Sequence, residues 1–299
     1  MKLFTIFSAV VAAAAAAPAN ISTIYQFPNG TWLENLALTH NSSILVSLIG
    51  KPEVHIVHPS TTNATSNLVA SFPNANSVLG ITETACDVFT IAVGTLNPDN
   101  TPIQGSFSIW RIDLSHGTVE TEKLVDLTTV SLVNGIAYLA PNTLFLADSW
   151  AGNIVSLDIR TKNYSVAFED ASLMPDFDSA IKPSLGVNGM RVHKGYLYYT
   201  NFVKGLLGRI QLASRRYEIT KVSGPDDLAV LGDGSVVLGR PLVDRVDVIG
   251  MDGGVKEEVV VEGVTSVVVG REWGVVFGCT SGLVGGVPRE GGKVVRIDL

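Results

Sequence analysis

Glu34, Asn134, Asn188 and Asp226 occupy one recurring local setting, a polar residue placed just before or at the start of a short apolar run, and Leu79 and Thr265 occupy the same setting twice more. Two carboxylates and two carboxamides, with Asp227 adjoining, form a hard-oxygen set. Such a set can carry a proton, hydrogen-bond a polarised oxygen or ligate a cation such as Ca²⁺. Alone, an Asn or Asp before Gly is ordinary turn chemistry. As a group these residues matter only if the fold brings them together, because four buried polar groups on one axis are costly unless paired or bound to something.

Their spacing says how that happens. Leu132-Val133-Asn134-Gly135-Ile136-Ala137 followed by Leu144-Phe145-Leu146-Ala147-Asp148-Ser149 returns as Gly186-Val187-Asn188-Gly189-Met190-Arg191 followed by Tyr196-Leu197-Tyr198-Tyr199-Thr200-Asn201. Weaker copies surround Glu34, Leu79, Asp226 and Thr265, making six units at intervals of roughly 38 to 55 residues, the span of a four-stranded propeller blade. Between them run short β-branched strands punctuated by turns such as Gly232-Asp233-Gly234. The pattern predicts an all-β, six-bladed β-propeller over residues 20–299 as a single domain, with the six anchors around one mouth of the central channel. An open ring would expose two strand edges. Residues Ile21–Phe27 are too close to the first anchor to be a blade, so this N-terminal strand is expected to close the last one.

Composition agrees: 46% hydrophobic and 16% charged residues supply ample core, and a net charge of −7 without a basic stripe argues against a nucleic-acid surface. A small, apolar substrate is the expected partner. Residues 1–19, with Lys2, an apolar run, an alanine tract and Ala17-Pro18-Ala19, read as a secretory signal peptide cleaved near Asn20, too short for a good membrane span. The expected address is the secretory pathway, with the protein secreted or kept in an endomembrane or vacuolar compartment. Sequons at Asn20, Asn29, Asn41, Asn63 and Asn163 are candidate N-glycan sites. By the repeat register Cys86 and Cys279 fall at opposite ends of different blades, which favours unpaired, buried thiols over a disulfide.

The whole of 20–299 resembles the SMP-30, gluconolactonase and paraoxonase-like superfamily of six-bladed propellers, through Glu34, Asn134, Asn188 and Asp226. That resemblance implies those four residues as ligands of a catalytic Ca²⁺. Trp32-Leu33-Glu34-Asn35-Leu36-Ala37, Asn134-Gly135 with Ala147-Asp148-Ser149, Asn188-Gly189 with Tyr198-Tyr199-Thr200-Asn201, and Asp226-Asp227-Leu228-Ala229 are closest in flavour to a fungal hetero-Diels–Alderase branch of tropolone-sesquiterpenoid biosynthesis. What this second resemblance implies is a pericyclase that needs no cofactor, joining a reactive quinone methide to a terpene alkene such as a humulene.

On that reading Glu34, Asp226, Asn134 and Asn188 are the catalytic candidates. Trp150, Asn201, Phe202, Asp227 and Arg240 are expected to bind substrate near the same mouth. Asn134, Asn188, Asn201 or Arg240 would donate a hydrogen bond to the developing oxyanion, and Glu34 or Asp226, its pKa raised by neighbouring carboxylates, would serve as acid or base. The Ca²⁺-dependent lactonase or phosphoesterase alternative uses the same ring. It is weakened because His40 and His193 are expected at the opposite mouth and His55 and His58 on an outer strand. A third alternative is a secreted, non-catalytic binding propeller recognising ligands through residues 98–105 and 169–185, the second of which could act as a lid.

Overall fold

The computed structural model describes residues 20–60, 62–284 and 287–299, so the signal-peptide reading of residues 1–19 lies outside the described residues. Six four-stranded antiparallel sheets are arranged as the blades of a propeller, and in the first five the strands run from the inner one outward in chain order. The inner strands are Trp32–Leu38, Ser77–Ala85, Val133–Leu139, Val187–His193, Leu228–Val230 and Val264–Val269. Alternating burial along the third and fourth strands gives way to nearly continuous burial in the inner two, which are packed on both faces. The one helical piece among the described residues is a three-residue 3-10 turn, Pro241–Val243, and no helix is long and apolar enough to cross a membrane.

The N-terminal strand closes the ring as the sequence predicts. Asn20–Gln26 pairs antiparallel with Lys293–Asp298, from Asn20 opposite Asp298 to Gln26 opposite Lys293, and becomes the outermost strand of the sixth blade. The first and last strands among the described residues thereby occupy one sheet. Apolar packing follows the seams between blades, one cluster in each. Leu45 and Val78 meet Phe89 between blades 1 and 2, for example, and Phe27 and Leu33 meet Val275 and Phe277 where blade 6 returns to blade 1.

Close approach of the inner strands determines where the anchors point. A Cβ on Gly80 would lie 2.3 Å from the carbonyl oxygen of Asn134, and one on Gly135 would lie 2.3 Å from that of Asn188. One on Gly189 would lie 2.2 Å from Asp227 Oδ1. The residue after each of these anchors must therefore be glycine, since the next blade's backbone occupies the side-chain volume. At the same place the inner strands lose register with their neighbours, between Val78 and Ile81, Val133 and Ile136, and Val187 and Met190. A bulge of this kind re-aims a side chain, here toward the propeller axis. Blade 1, with Asn35 in place of glycine, uses a hydroxyl instead: Ser47 Oγ accepts from Asn35 N at 3.1 Å and donates to Leu79 O at 2.6 Å.

All five sequon asparagines are exposed. Cys86 and Cys279 are both free thiols, as expected from the register, but only Cys279 is buried. Cys86 lies in the tight turn between the strands ending at Ala85 and starting at Val88, where it is exposed.

Replacing Gly135 by Ala is expected to cost about 2 to 3 kcal/mol through overpacking against the Asn188 carbonyl. Gly232→Ala, where an added Cβ meets nothing, is expected to stay within about 0.5 kcal/mol of the parent. Urea unfolding of the two variants checks the contrast; equal midpoints would remove close packing as the reason for the anchor glycines.

Candidate active site

All six anchors, Glu34, Leu79, Asn134, Asn188, Asp226 and Thr265, line one central cavity of about 660 Å³. Its floor is polar and its walls are apolar. Leu132 and Leu185 precede the anchors of their blades, Ile49, Leu96 and Phe202 follow second strands, and Leu242 comes from the 3-10 turn. Two further pieces complete the rim. Ile181, Lys182 and Pro183 arrive from the long loop expected to act as a lid, and Leu283 with Pro288 comes from a small hairpin between the second and third strands of blade 6. The hairpin leaves no repeat signature, so sequence reasoning misses it.

The floor holds two interacting carboxyls. Glu34 is 6% exposed and accepts a hydrogen bond from Trp32 Nε1 at 3.0 Å; Asp226 Oδ1 accepts one from Asn188 Nδ2 at 2.6 Å. Burial pushes Glu34 from its ordinary 4.5 up to about 7, opposed by the Trp32 bond and reinforced by the charge of Asp227. Asp226 is raised well above the usual carboxylate range, again mainly by burial, then by the charges of Glu34 and Asp227. The direction matches the sequence expectation and the leading cause differs: desolvation comes first and neighbouring carboxylates second. Asn134 Oδ1 is buried with no hydrogen-bond partner. A polar atom left unpaired at a cavity wall is a contact waiting for a ligand.

The expected ring at one depth is two layers. Asp227 is absent from the cavity wall; it sits below, where Arg191 Nη2 donates to it at 3.0 Å and the Ser266 hydroxyl donates to it as well. Arg191 reaches this layer from the opposite mouth, whose pocket it lines together with Leu38, Glu83 and Arg271. Consecutive aspartates therefore face different jobs, because alternate residues of an extended chain point in different directions.

The structure also separates the residues expected to bind substrate. Phe202 lines the cavity, whereas Trp150, Asn201 and Arg240 do not. Asn201 Nδ2 donates to Ser172 O at 2.8 Å and Met174 O at 2.9 Å, and its Oδ1 accepts from Lys204 N at 3.0 Å. Arg240 Nε donates to Ser223 O at 2.7 Å while its Nη1 is held by the fully buried Asp247. Both are stitches at the ends of second strands, as is Asp148, whose carboxylate accepts from the backbone N–H of Ser131 at 2.9 Å and Leu132 at 3.1 Å. Their polar atoms are spent on loop backbone. Trp150 packs edge-on against Phe177 at 5.5 Å, beneath the long loop. His40 occupies the turn after an inner strand, His193 ends an inner strand, and His55 and His58 lie on a third strand, all outside the cavity wall.

No protein-family model matches the chain. In sequence it is 23% identical over 246 residues to a protein of Sarocladium schorii and 25% identical over 205 residues to one of Phoma sp, each named "Putative hetero-Diels-Alderase". These alignments cover 74% and 60% of this chain and 60% and 57% of the relatives, so the chain spans about three fifths of the length of the curated relatives it matches. Among solved structures it is similar to a luciferin-regenerating enzyme, with a TM-score of 0.67 at 13% identity over 94% of this chain and 95% of that one. It is also similar to virginiamycin B lyase of Staphylococcus aureus, with a TM-score of 0.60 at 13% identity over 94% and 99% of the two chains. The aldose sugar dehydrogenase of Streptomyces coelicolor gives 0.61 at 13% identity over 95% and 99%. At these identities the solved structures speak to fold alone.

Because Glu34 binds its proton more tightly when folded, stability is full below about pH 4.5 and falls as pH rises through about 7. Glu34→Gln is expected to recover up to about 3 kcal/mol at pH 8 and little at pH 4.5, read from urea unfolding at the two pH values. A pH-independent difference would mean that Glu34 is not titrating in the folded protein. With fold, cavity and relatives together, the chain is a six-bladed β-propeller similar in sequence to two proteins named putative hetero-Diels–Alderases.

Proposed function

We propose that the chain is a hetero-Diels–Alderase, joining a tropolone-type quinone methide to a terpene alkene such as a humulene within the central cavity. One observation carries this reading: two carboxyls, Glu34 with its pKa pushed up to about 7 by burial and Asp226 with its pKa raised as well, lie together in a cavity whose wall is largely formed by Leu, Ile, Pro and aromatic side chains. The names of the two sequence relatives point the same way.

The cycloaddition redistributes three electron pairs, forming one C–C and one C–O bond without releasing an atom. Holding both partners in one orientation supplies much of the acceleration, through entropy spent in binding. The apolar wall formed by Leu79, Leu132, Leu185 and Phe202 would do this. A protonated Glu34 or Asp226 donates a hydrogen bond to the quinone methide oxygen as negative charge develops there. Of the amide and guanidinium donors expected from sequence, Asn188, Asn201 and Arg240 are committed elsewhere, which leaves Asn134 beside these acids as a donor at the cavity wall. If the quinone methide is made on the protein from a hydroxymethyl precursor, one carboxyl protonates the departing hydroxyl and the other accepts the phenolic proton, so that water leaves.

The orphaned Asn134 oxygen favours a second reading, Ca²⁺-dependent hydrolysis of a lactone or phosphoester. Two carboxylates and the carboxamide oxygens of Asn134 and Asn188 fit a hard cation, and would hold it between blades 1, 3, 4 and 5. Bound there, Ca²⁺ would polarise the ester oxygen. Secretory targeting, with glycans at Asn20, Asn29, Asn41, Asn63 or Asn163, belongs to the proposal on either reading, and a mass decrease on endoglycosidase treatment of the native protein would support it.

Incubation of a hydroxymethyl tropolone precursor with humulene should give an optically enriched adduct, detected by chiral chromatography with mass spectrometry. Glu34→Gln and Asp226→Asn should each slow it roughly 100-fold. A racemic adduct formed at the uncatalysed rate sinks the first reading. About one Ca²⁺ per chain after dialysis, together with lactone hydrolysis that chelation abolishes, would establish the second.

A further inference from the structure

The central cavity does not end at its own wall. Ile181, Phe202 and Leu242 line it on one side and on the other line a second cleft of about 400 Å³, which runs outward between blades 4 and 5. Two lysines are placed in this cleft, Lys204 in the turn after the second strand of blade 4 and Lys221 at the end of its outer strand. A third, Lys182, is on the cavity rim beside Ile181.

None of these ammonium groups is neutralised by a carboxylate among the described residues; the lysines that do form ion pairs, Lys123, Lys256 and Lys293, lie elsewhere. Lys182 Nζ donates to Phe177 O at 2.8 Å and Lys204 Nζ to Ala171 O at 2.6 Å, each retaining further donors. This local positive charge stands on a chain whose net charge is −7 and next to a cavity whose floor is acidic. Among the residues lining the two spaces, positive charge is found only at this lysine end.

We infer that the cleft between blades 4 and 5 is a second substrate subsite, taking the anionic oxygen acid of an amphipathic substrate whose apolar body passes Ile181, Phe202 and Leu242 into the central cavity. The inference rests on the central cavity being the substrate site and specifies what that substrate must carry. It also sets orientation. The anionic head stays at Lys204 and Lys221, and the reacting carbons reach the acid pair at the floor. Salt weakens the contact, because the lysines are partly exposed and screened.

The test uses decanoate and decan-1-ol, which share an apolar chain and differ in head charge, titrated into the full-length protein by calorimetry. Decanoate should bind at least 10-fold more tightly than decanol. The double variant Lys204→Met with Lys221→Met should bring decanoate down to the affinity of decanol without changing decanol itself, and arginine at both positions should restore the preference. If decanol binds and decanoate binds no better, or if the methionine variant keeps the preference, the lysine subsite is wrong while the cavity reading stands. If neither ligand binds, the apolar cavity is not the substrate site and both ideas fall.

Discussion

Everything at the propeller axis depends on how closely the inner strands approach one another. Where a repeat reads anchor then glycine, the next blade's backbone lies within 2.5 Å of the place a Cβ would need, so only a hydrogen fits. That approach draws the strands into a narrow ring, and the accompanying bulges turn the anchor side chains inward. In blades 2, 3 and 4 the site is a consequence of packing: Leu79, Asn134 and Asn188 face the cavity, and the residues after them have no side chain. Where blade 1 lacks the glycine, the Ser47 hydroxyl bridges the gap to the Leu79 carbonyl.

Narrowness at the axis also produces the electrostatics. Burial raises the pKa of Glu34 to about 7 and that of Asp226 well above the usual carboxylate range, so both hold a proton more readily than an exposed carboxyl. One layer down, Asp227 accepts hydrogen bonds from Arg191 and Ser266. Adjacent aspartates in sequence thus have different partners. The lower layer fills the channel between the two mouths and leaves the upper cavity closed beneath, with apolar walls above an acidic floor.

Away from the axis, polar side chains at the ends of second strands hold loops in place. Asp148, Asn201 and Arg240 occupy corresponding positions in blades 3, 4 and 5 and all bind backbone with their polar atoms. By fixing the segment around Ser172 and Met174, Asn201 anchors the loop whose later residues, Ile181 to Leu185, form part of the cavity wall. These residues shape the site from behind without touching its contents.

Repeat spacing, alternating strands and the stranded N-terminal segment made the six-bladed ring, its closure and the identity of the inward-facing anchors legible, because each is a local pattern repeated at fixed intervals. Composition sufficed for the apolar core of the seams. Trp150, Asn201 and Arg240 looked equivalent to Phe202 in the chain, each near the end of a second strand, and only tertiary packing decided which of them meets the cavity and which is consumed by a neighbouring loop. The depth of Asp227, the hairpin bearing Leu283 and Pro288, and the leading role of burial in the acidity of Glu34 were likewise decided in three dimensions. A repeat dictates which way a strand residue points. What it points at belongs to loops of irregular length, and desolvation depends on everything that surrounds a group, none of which a local pattern contains.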